Sequence, residues 1–340
     1  MTIYKSSFYN KPFMMNRLYW IDSLKFFGIY LVVLGHCTFL TEKLDMFIYL
    51  FHMPLFYLIS GFLSHKDKRD FSEILRSSVK RFLVPYFFFR LLGWLWWFFF
   101  SYERHPELFS RDGITFFKPL FAILLGLGYN TDFAYTVCTP AWFLFSLFWL
   151  KIFSNYILTS WIRSLSIVAF SIVLIKLFDL LDFHLYFSLE NALLALPFFV
   201  IGFYIKKSEI LRFIDKKYFV LLLFFCILGF YIQLGSERVD MNRICYGDSL
   251  FLFYLLPILF TVVLMKFFSI YFNKKYDVVE KISSGAIVVI GIHQYLLFIF
   301  NKIGGSNFVG IIMSLIVLLL CLFFIKLFNK YIPFLIGNKI

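Results

Sequence analysis

The sequence predicts an all-α polytopic membrane protein, a helical bundle of about ten transmembrane helices with both termini cytoplasmic. Of its 340 residues, 61% are apolar and 16% charged, against about 45–50% and about 25% in a typical soluble domain. Aromatic residues reach 23%, led by 51 Phe. So few charges cannot shield that much apolar surface, which associates wherever it meets water. A soluble globular enzyme, a disordered chain and a disulfide scaffold are excluded. The net charge of +13 directs attention to the loops, since cytoplasmic loops of membrane proteins collect Lys and Arg. Nucleic acid is not an expected partner.

A bilayer core takes about 20 mostly apolar residues per helix. On that measure the spans fall at residues 21–41, 46–64, 82–100, 140–157, 162–178, 186–205, 218–234, 249–270, 285–301 and 307–328. Residues 1–20 carry Lys5, Lys11 and Arg17 without an apolar run. No removable signal peptide is expected, and the first span should remain as an anchor. The apolar stretch 118–127 is too short to cross and reads as re-entrant or interfacial. With the N-terminus inside, Lys and Arg favour inner segments over outer loops by three to one. That bias supports ten spans, a cytoplasmic tail at 329–340, and one membrane-embedded domain over 1–340. The expected location is the inner (plasma) membrane, in contact with its lipids. Five cysteines show no metal or redox spacing. Cys138 and Cys245 fall in outer loops, where an oxidising compartment would allow them to pair.

Ionisable side chains within spans cost roughly 2.5–3.5 kcal/mol each on insertion scales, so they are functional candidates. The candidates are Asp22, Lys25 and His36 in span one, His52 in span two, Arg90 in span three, Glu190 in span six and His293 in span nine; Lys151, Lys176 and Lys266 also fall within spans. At 100° per residue, Asp22, Lys25, Ile29, Val32 and His36 share one helix face, with His36 about 16 Å beyond Lys25. His36 and His52 lie on helices joined by only Glu42 to Asp45, so they are antiparallel neighbours at similar depth. The pair suits sharing a proton or a substrate hydroxyl; helix–helix hydrogen bonding is the alternative. Between His65 and Arg81 a basic loop holds Lys66, Lys68, Arg69, Arg76, Lys80 and Arg81. It satisfies ordinary inside-positive topology, and it also suits phosphates, which guanidinium groups bind bidentately. Arg90 needs a partner, for which Glu190 is a candidate. His293, followed by Gln294, either lines the same cavity or bridges helices.

Ile21-Asp22-Ser23-Leu24-Lys25, followed by Leu31-Val32-Val33-Leu34-Gly35-His36, resembles the opening of the acyltransferase family 3 membrane proteins. Further agreement comes from His52-Met53-Pro54-Leu55-Phe56 with Ser60-Gly61-Phe62, from Lys80-Arg81 before Pro85-Tyr86, and from Ala141-Trp142-Phe143-Leu144. The branch it resembles most contains fucose 4-O-acetylase-like enzymes. The resemblance implies a ten-helix enzyme that moves an acyl group, usually acetyl, from cytoplasmic acyl-CoA to a hydroxyl of an envelope glycan or lipid-linked sugar. No tightly bound cofactor is expected, acetyl-CoA being a donor substrate. His36 matches the essential first-helix histidine, and Arg81 the basic position linked to acyl-CoA. Many members carry two arginines three apart there; Phe82 occupies the second position here, leaving Lys80 or Arg76 to substitute. Lys25 joins them as a donor-binding residue, with His52 as a second catalytic residue and Asp22, Arg90, Glu190 and His293 in support. A transporter or flippase of lipid-linked sugars is the competing reading. The only acid well inside a span is Glu190, which weighs against a carrier driven by mid-membrane carboxylates.

Overall fold

The computed structural model describes residues 17–102, 117–127, 139–302 and 304–337. Cys138, and with it the suggested pairing to Cys245, lies outside the described residues. Among the described residues twelve helices follow in order: α1 (Tyr19–Leu34), α2 (Glu42–Leu63), α3 (Phe71–Phe100), α4 (Lys118–Leu124), α5 (Trp142–Ile157) and α6 (Trp161–Leu180). Then come α7 (Leu189–Lys207), α8 (Lys216–Gln233), α9 (Leu250–Tyr271), α10 (Asp277–Ser284), α11 (Ala286–Phe300) and α12 (Asn307–Tyr331). Among the described residues, seven helices are long and apolar enough to cross a membrane, or eight if the bent pair α10–α11 forms one span. The protein is an all-α polytopic membrane protein. Each predicted span is a helix or, for span nine, that pair, broken by 86° at Gly285. With 16 residues each, α1 and α5 are about 24 Å long, short of a ~30 Å hydrocarbon core.

Burial separates centre from rim. About 72% of the apolar window of α2 and 67% of that of α7 is buried, but only 17% of those of α6 and α8. The outer helices present apolar side chains where lipid would lie. At the centre α2 and α7 touch backbone to backbone: a Cβ on Gly61 would stand 1.8 Å from Phe199 O, and one on Gly202 would stand 2.0 Å from Leu58 O. Small residues let membrane helices approach this closely and gain dispersion contact.

Three boundaries differ from the sequence expectation. The first helix ends at Leu34, because Gly35 N still bonds Leu31 O while His36 N and Cys37 N turn to Val33 O and Leu34 O, three residues back. This tightening releases the chain. Side chains from elsewhere hold the exit: Asn301 Nδ2 donates to His36 O at 3.3 Å, and Asn307 Oδ1 accepts from Thr41 N at 2.7 Å. Residues 35–41 are therefore the connection, and Glu42 and Asp45 lie in the first turn of α2, where acids complement the helix dipole. The shared face of span one accordingly breaks before His36. The basic segment is largely helical as well. Asp70 caps α3 by accepting from Glu73 N at 2.7 Å, and a π-helical turn spans Val79–Leu83. That turn absorbs the bond Pro85 cannot donate back to Arg81. Arg76, Lys80 and Arg81 thus project from a helix, all exposed.

The segment at 118–127 contains the seven-residue α4, too short to cross. It is tied down by Tyr86 Oη donating to Ile123 O at 3.0 Å and Ser188 Oγ donating to Gly126 O at 2.8 Å.

Candidate active site

Two clusters sit at opposite ends of α1. At the end where α1 begins, Lys25 on α1, Arg81 on α3 and Lys151 on α5 lie within electrostatic reach of one another through Arg81. None of the three is ion-paired with a described residue. The acid beside them is already engaged: Asp22 accepts from Arg17 Nε at 2.6 Å and from Ser283 Oγ at 2.7 Å. Arg17 also donates to Glu280 at 2.7 Å. Asp22 therefore pins α1 to α10; it acts on Lys25, as Asp67 acts on Lys151, only through space and without an ion pair. Three like charges on facing helices suit a polyanion. Lys80 and Arg76 lie on the same stretch of α3.

At the other end, a cavity of about 250 Å³ is lined by Val32, His36, Tyr49, His52 and Trp142, and by Arg238, Asp240 and Arg243 of the loop between α8 and α9. His36 is partly exposed and His52 is buried at 5%. His52 Nδ1 lies 2.7 Å from Ile48 O. A carbonyl accepts only, so the proton sits on Nδ1 and the lone pair on Nε2. Arg238 anchors the loop over the cavity, donating to Asp45 of α2 at 2.7 Å and to Asp240 at 3.2 Å. Its guanidinium also sits 4.1 Å from the Tyr49 ring centroid, a cation–π contact. Burial pushes the Asp240 carboxyl above its ordinary range, with Arg238 and the Asn242 backbone N–H opposing it. The arrangement presents imidazoles, a carboxylate and guanidinium groups to one small volume, with aromatic rings on its walls.

The structure regroups the predicted residues. His36 and His52 do line one cavity. The ring packed against His36, however, belongs to His293, with centroids 5.2 Å apart, and Gln294 Nε2 reaches His36 Nδ1 at 3.5 Å. The bend at Gly285 swings α11 across the bundle, where Gly291 lies against the Phe89 ring. Glu190 does not pair with Arg90. Its carboxylate accepts from Leu185 N and meets His184 Nδ1, both at 3.3 Å, because α7 begins only at Leu189 and Glu190 faces its own entry turn. Arg90 instead donates to Leu127 O at 3.4 Å, bracing the α4 segment. Neither lines the cavity.

Sequence reasoning did not place Lys151, Tyr49 or the loop residues Arg238, Asp240 and Arg243 at a site, and it met Trp142 only as part of a family motif. The run Glu237-Arg238-Val239-Asp240-Met241-Asn242-Arg243 was the available signal, being the most charged stretch on the His36 side. A larger cavity of about 490 Å³ lies between α3 and α5, lined by Arg69, Phe71, Ile74 and Tyr156 among others. It contains no histidine or carboxylate, and Arg69 there is held by Asp67 at 2.6 Å.

No curated protein and no solved structure matches the chain. A family model does: residues 18–328 match the one described as an acyltransferase domain. That interval contains both α1 clusters and every helix to near the end of α12, so the chain belongs to acyltransferase family 3.

Proposed function

We propose that this acyltransferase is an O-acetyltransferase of the inner membrane. It takes an acetyl group from cytoplasmic acetyl-CoA and passes it to a hydroxyl of an envelope glycan or lipid-linked sugar. The observation that carries this reading is the division of labour along α1, with three cations that form no ion pair with a described residue at one end and a histidine-lined polar cavity at the other. The cations suit the phosphates of coenzyme A. The cavity suits one sugar ring, with Tyr49 and Trp142 as apolar walls and Asp240 and Arg238 as hydrogen-bonding groups. The thioester arm of the donor spans the intervening distance, about 14 Å of helix from Lys25 to Leu34.

An alcohol attacks a thioester slowly unless a base takes its proton in the transition state. Neutral imidazole suits that task near neutral pH. His36 accepts the hydroxyl proton as oxygen bonds to the acyl carbon. The C–S bond then breaks, and the proton passes from His36 to the departing thiolate. His52, held by Ile48 O, orients the acceptor hydroxyl through Nε2.

The test is incubation of purified protein with labelled acetyl-CoA and candidate acceptors, measuring free CoA and label transfer. His36→Ala should reduce transfer by about a hundredfold or more while the protein accumulates normally, and His52→Ala should reduce it less. Near-normal transfer by the His36 variant would remove the base from this account.

A further inference from the structure

Among the described residues, the one after Ile292 is the most enclosed imidazole that the acyl-transfer chemistry leaves without a task. His293 is 0% exposed. Its Nδ1 lies 2.7 Å from Val289 O, one turn back on α11, which places the proton on Nδ1 and leaves a lone pair on Nε2. That Nε2 is buried and meets no hydrogen-bond donor. An orphaned acceptor in an apolar interior is costly, and such an atom in a native structure calls for a physical explanation. Its surroundings supply one, for the His36 ring lies beside it with centroids 5.2 Å apart and planes tilted by 41°. His36 is itself underserved: its Nδ1 has Gln294 at 3.5 Å, beyond the 2.7–3.2 Å of a full hydrogen bond. Among the described residues, the groups acting electrostatically on His36 are His293, His52 and Arg238; Asp240, which lines the same cavity, is not among them.

We propose that His293 is the positioning residue of His36, its bare Nε2 accepting the ring N–H of His36 while the other His36 nitrogen takes the acceptor's proton. The inference rests on His36 as the base. An imidazole lone pair here does what a carboxylate does in a Ser-His-Asp triad: it holds the ring and its tautomer and stabilises the imidazolium as it forms. A neutral acceptor avoids burying a second charge among apolar side chains. No proton leaves the pair: the one taken from the hydroxyl returns from His36 to the thiolate, and His293 keeps its own on Nδ1.

The test needs no knowledge of the acceptor. An acceptor on one imidazole nitrogen raises the basicity of the other, so the reactivity of His36 toward diethyl pyrocarbonate reports the contact. The full-length protein in detergent is modified at mildly alkaline pH, where imidazoles are neutral, and His36 is followed by peptide mass spectrometry. His293→Leu, or His293→Met if the leucine variant does not accumulate, should slow His36 modification about tenfold, the size of one lost hydrogen bond. His293→Gln, which returns an oxygen near the Nε2 position, should restore most of the rate. In acetyl-CoA turnover the apolar variants should lower kcat and leave KM for the donor unchanged. An unchanged rate in the apolar variants overturns the proposal. So does a glutamine variant as slow as the leucine one, or a His36 unreactive in the wild type. Wild-type protein that shows the carbethoxylation pattern but no acetyl-CoA turnover would instead sink the acetyl-transfer reading and leave the pairing standing.

Discussion

Arg81 illustrates how one missing hydrogen bond sets a side chain's address. Pro85 cannot donate to the Arg81 carbonyl, the helix widens into a π-turn, and Arg81 leaves the regular register of α3. It then faces Lys25 and Lys151 across two other helices. Cations that Asp22 and Asp67 touch only through space still repel one another, and a bound polyanion relieves that repulsion. Arg81→Ala and Lys151→Ala should each raise KM for acetyl-CoA about tenfold, with kcat little changed, because a phosphate contact is made equally in ground and transition states. Thermal unfolding of the purified protein with and without CoA gives a second reading: the wild type should gain stability from CoA and the double variant should gain almost none. Equal KM values for the double variant and the wild type would take these cations out of the donor site.

Among elements, the contact between α2 and α7 has the least room to give. Gly61 and Gly202 face each other's helix at the level of Phe199 O and Leu58 O. A methyl group at either place collides with backbone, which cannot step aside as a flexible side chain can. Gly61→Ala or Gly202→Ala should cost about 1–3 kcal/mol or more by overpacking and lower the midpoint of thermal unfolding in detergent. Gly235→Ala, where an added Cβ meets nothing within 4 Å, is the matched control. Because α2 carries His52 and Tyr49 and bears the Asp45 anchor for Arg238, the same substitutions should also weaken acyl transfer in the fraction that folds. An alanine at Gly61 as stable as the wild type would contradict the close helix crossing.

For the molecule as a whole, sidedness is the property that decides which substrate meets which cluster. The Lys- and Arg-rich connections lie at the end where α1 begins, and the cavity loop between α8 and α9 lies at the other. The inside-positive rule predicts that the cavity opens away from the cytoplasm. Cys245 of that loop is partly exposed, whereas Cys37, Cys226 and Cys321 are buried. A membrane-impermeant thiol reagent added to intact, reduced cells should label Cys245, and a Cys245→Ser variant should lose that signal. Label at Cys245 only after permeabilisation would reverse the orientation and place the cavity on the cytoplasmic side.

The order and approximate positions of the helices were legible in the sequence, because transfer of about 20 contiguous apolar side chains from water is a local quantity that any window can sum. So were the membrane class, the charge asymmetry between the two ends, and the nearness of His36 to His52, which the structure places on one cavity. The helix ends were less legible: His36 leaves α1 because Asn301 and Asn307, more than 260 positions later, hold the departing chain. The partnerships were least legible of all. Arg90 and Glu190 looked complementary by charge, yet each found a nearer partner once α4 and the entry of α7 were in place. Lys151 read as one more lysine in a span until α5 brought it toward Arg81, and His293 met His36 only through the 86° bend at Gly285. Hydropathy depends on what surrounds a segment on average. A hydrogen bond or an ion pair depends on ångström-scale approach between helices remote in sequence, and that was decided by how closely Gly61 and Gly202 let their backbones come and by the room Gly291 leaves for the Phe89 ring.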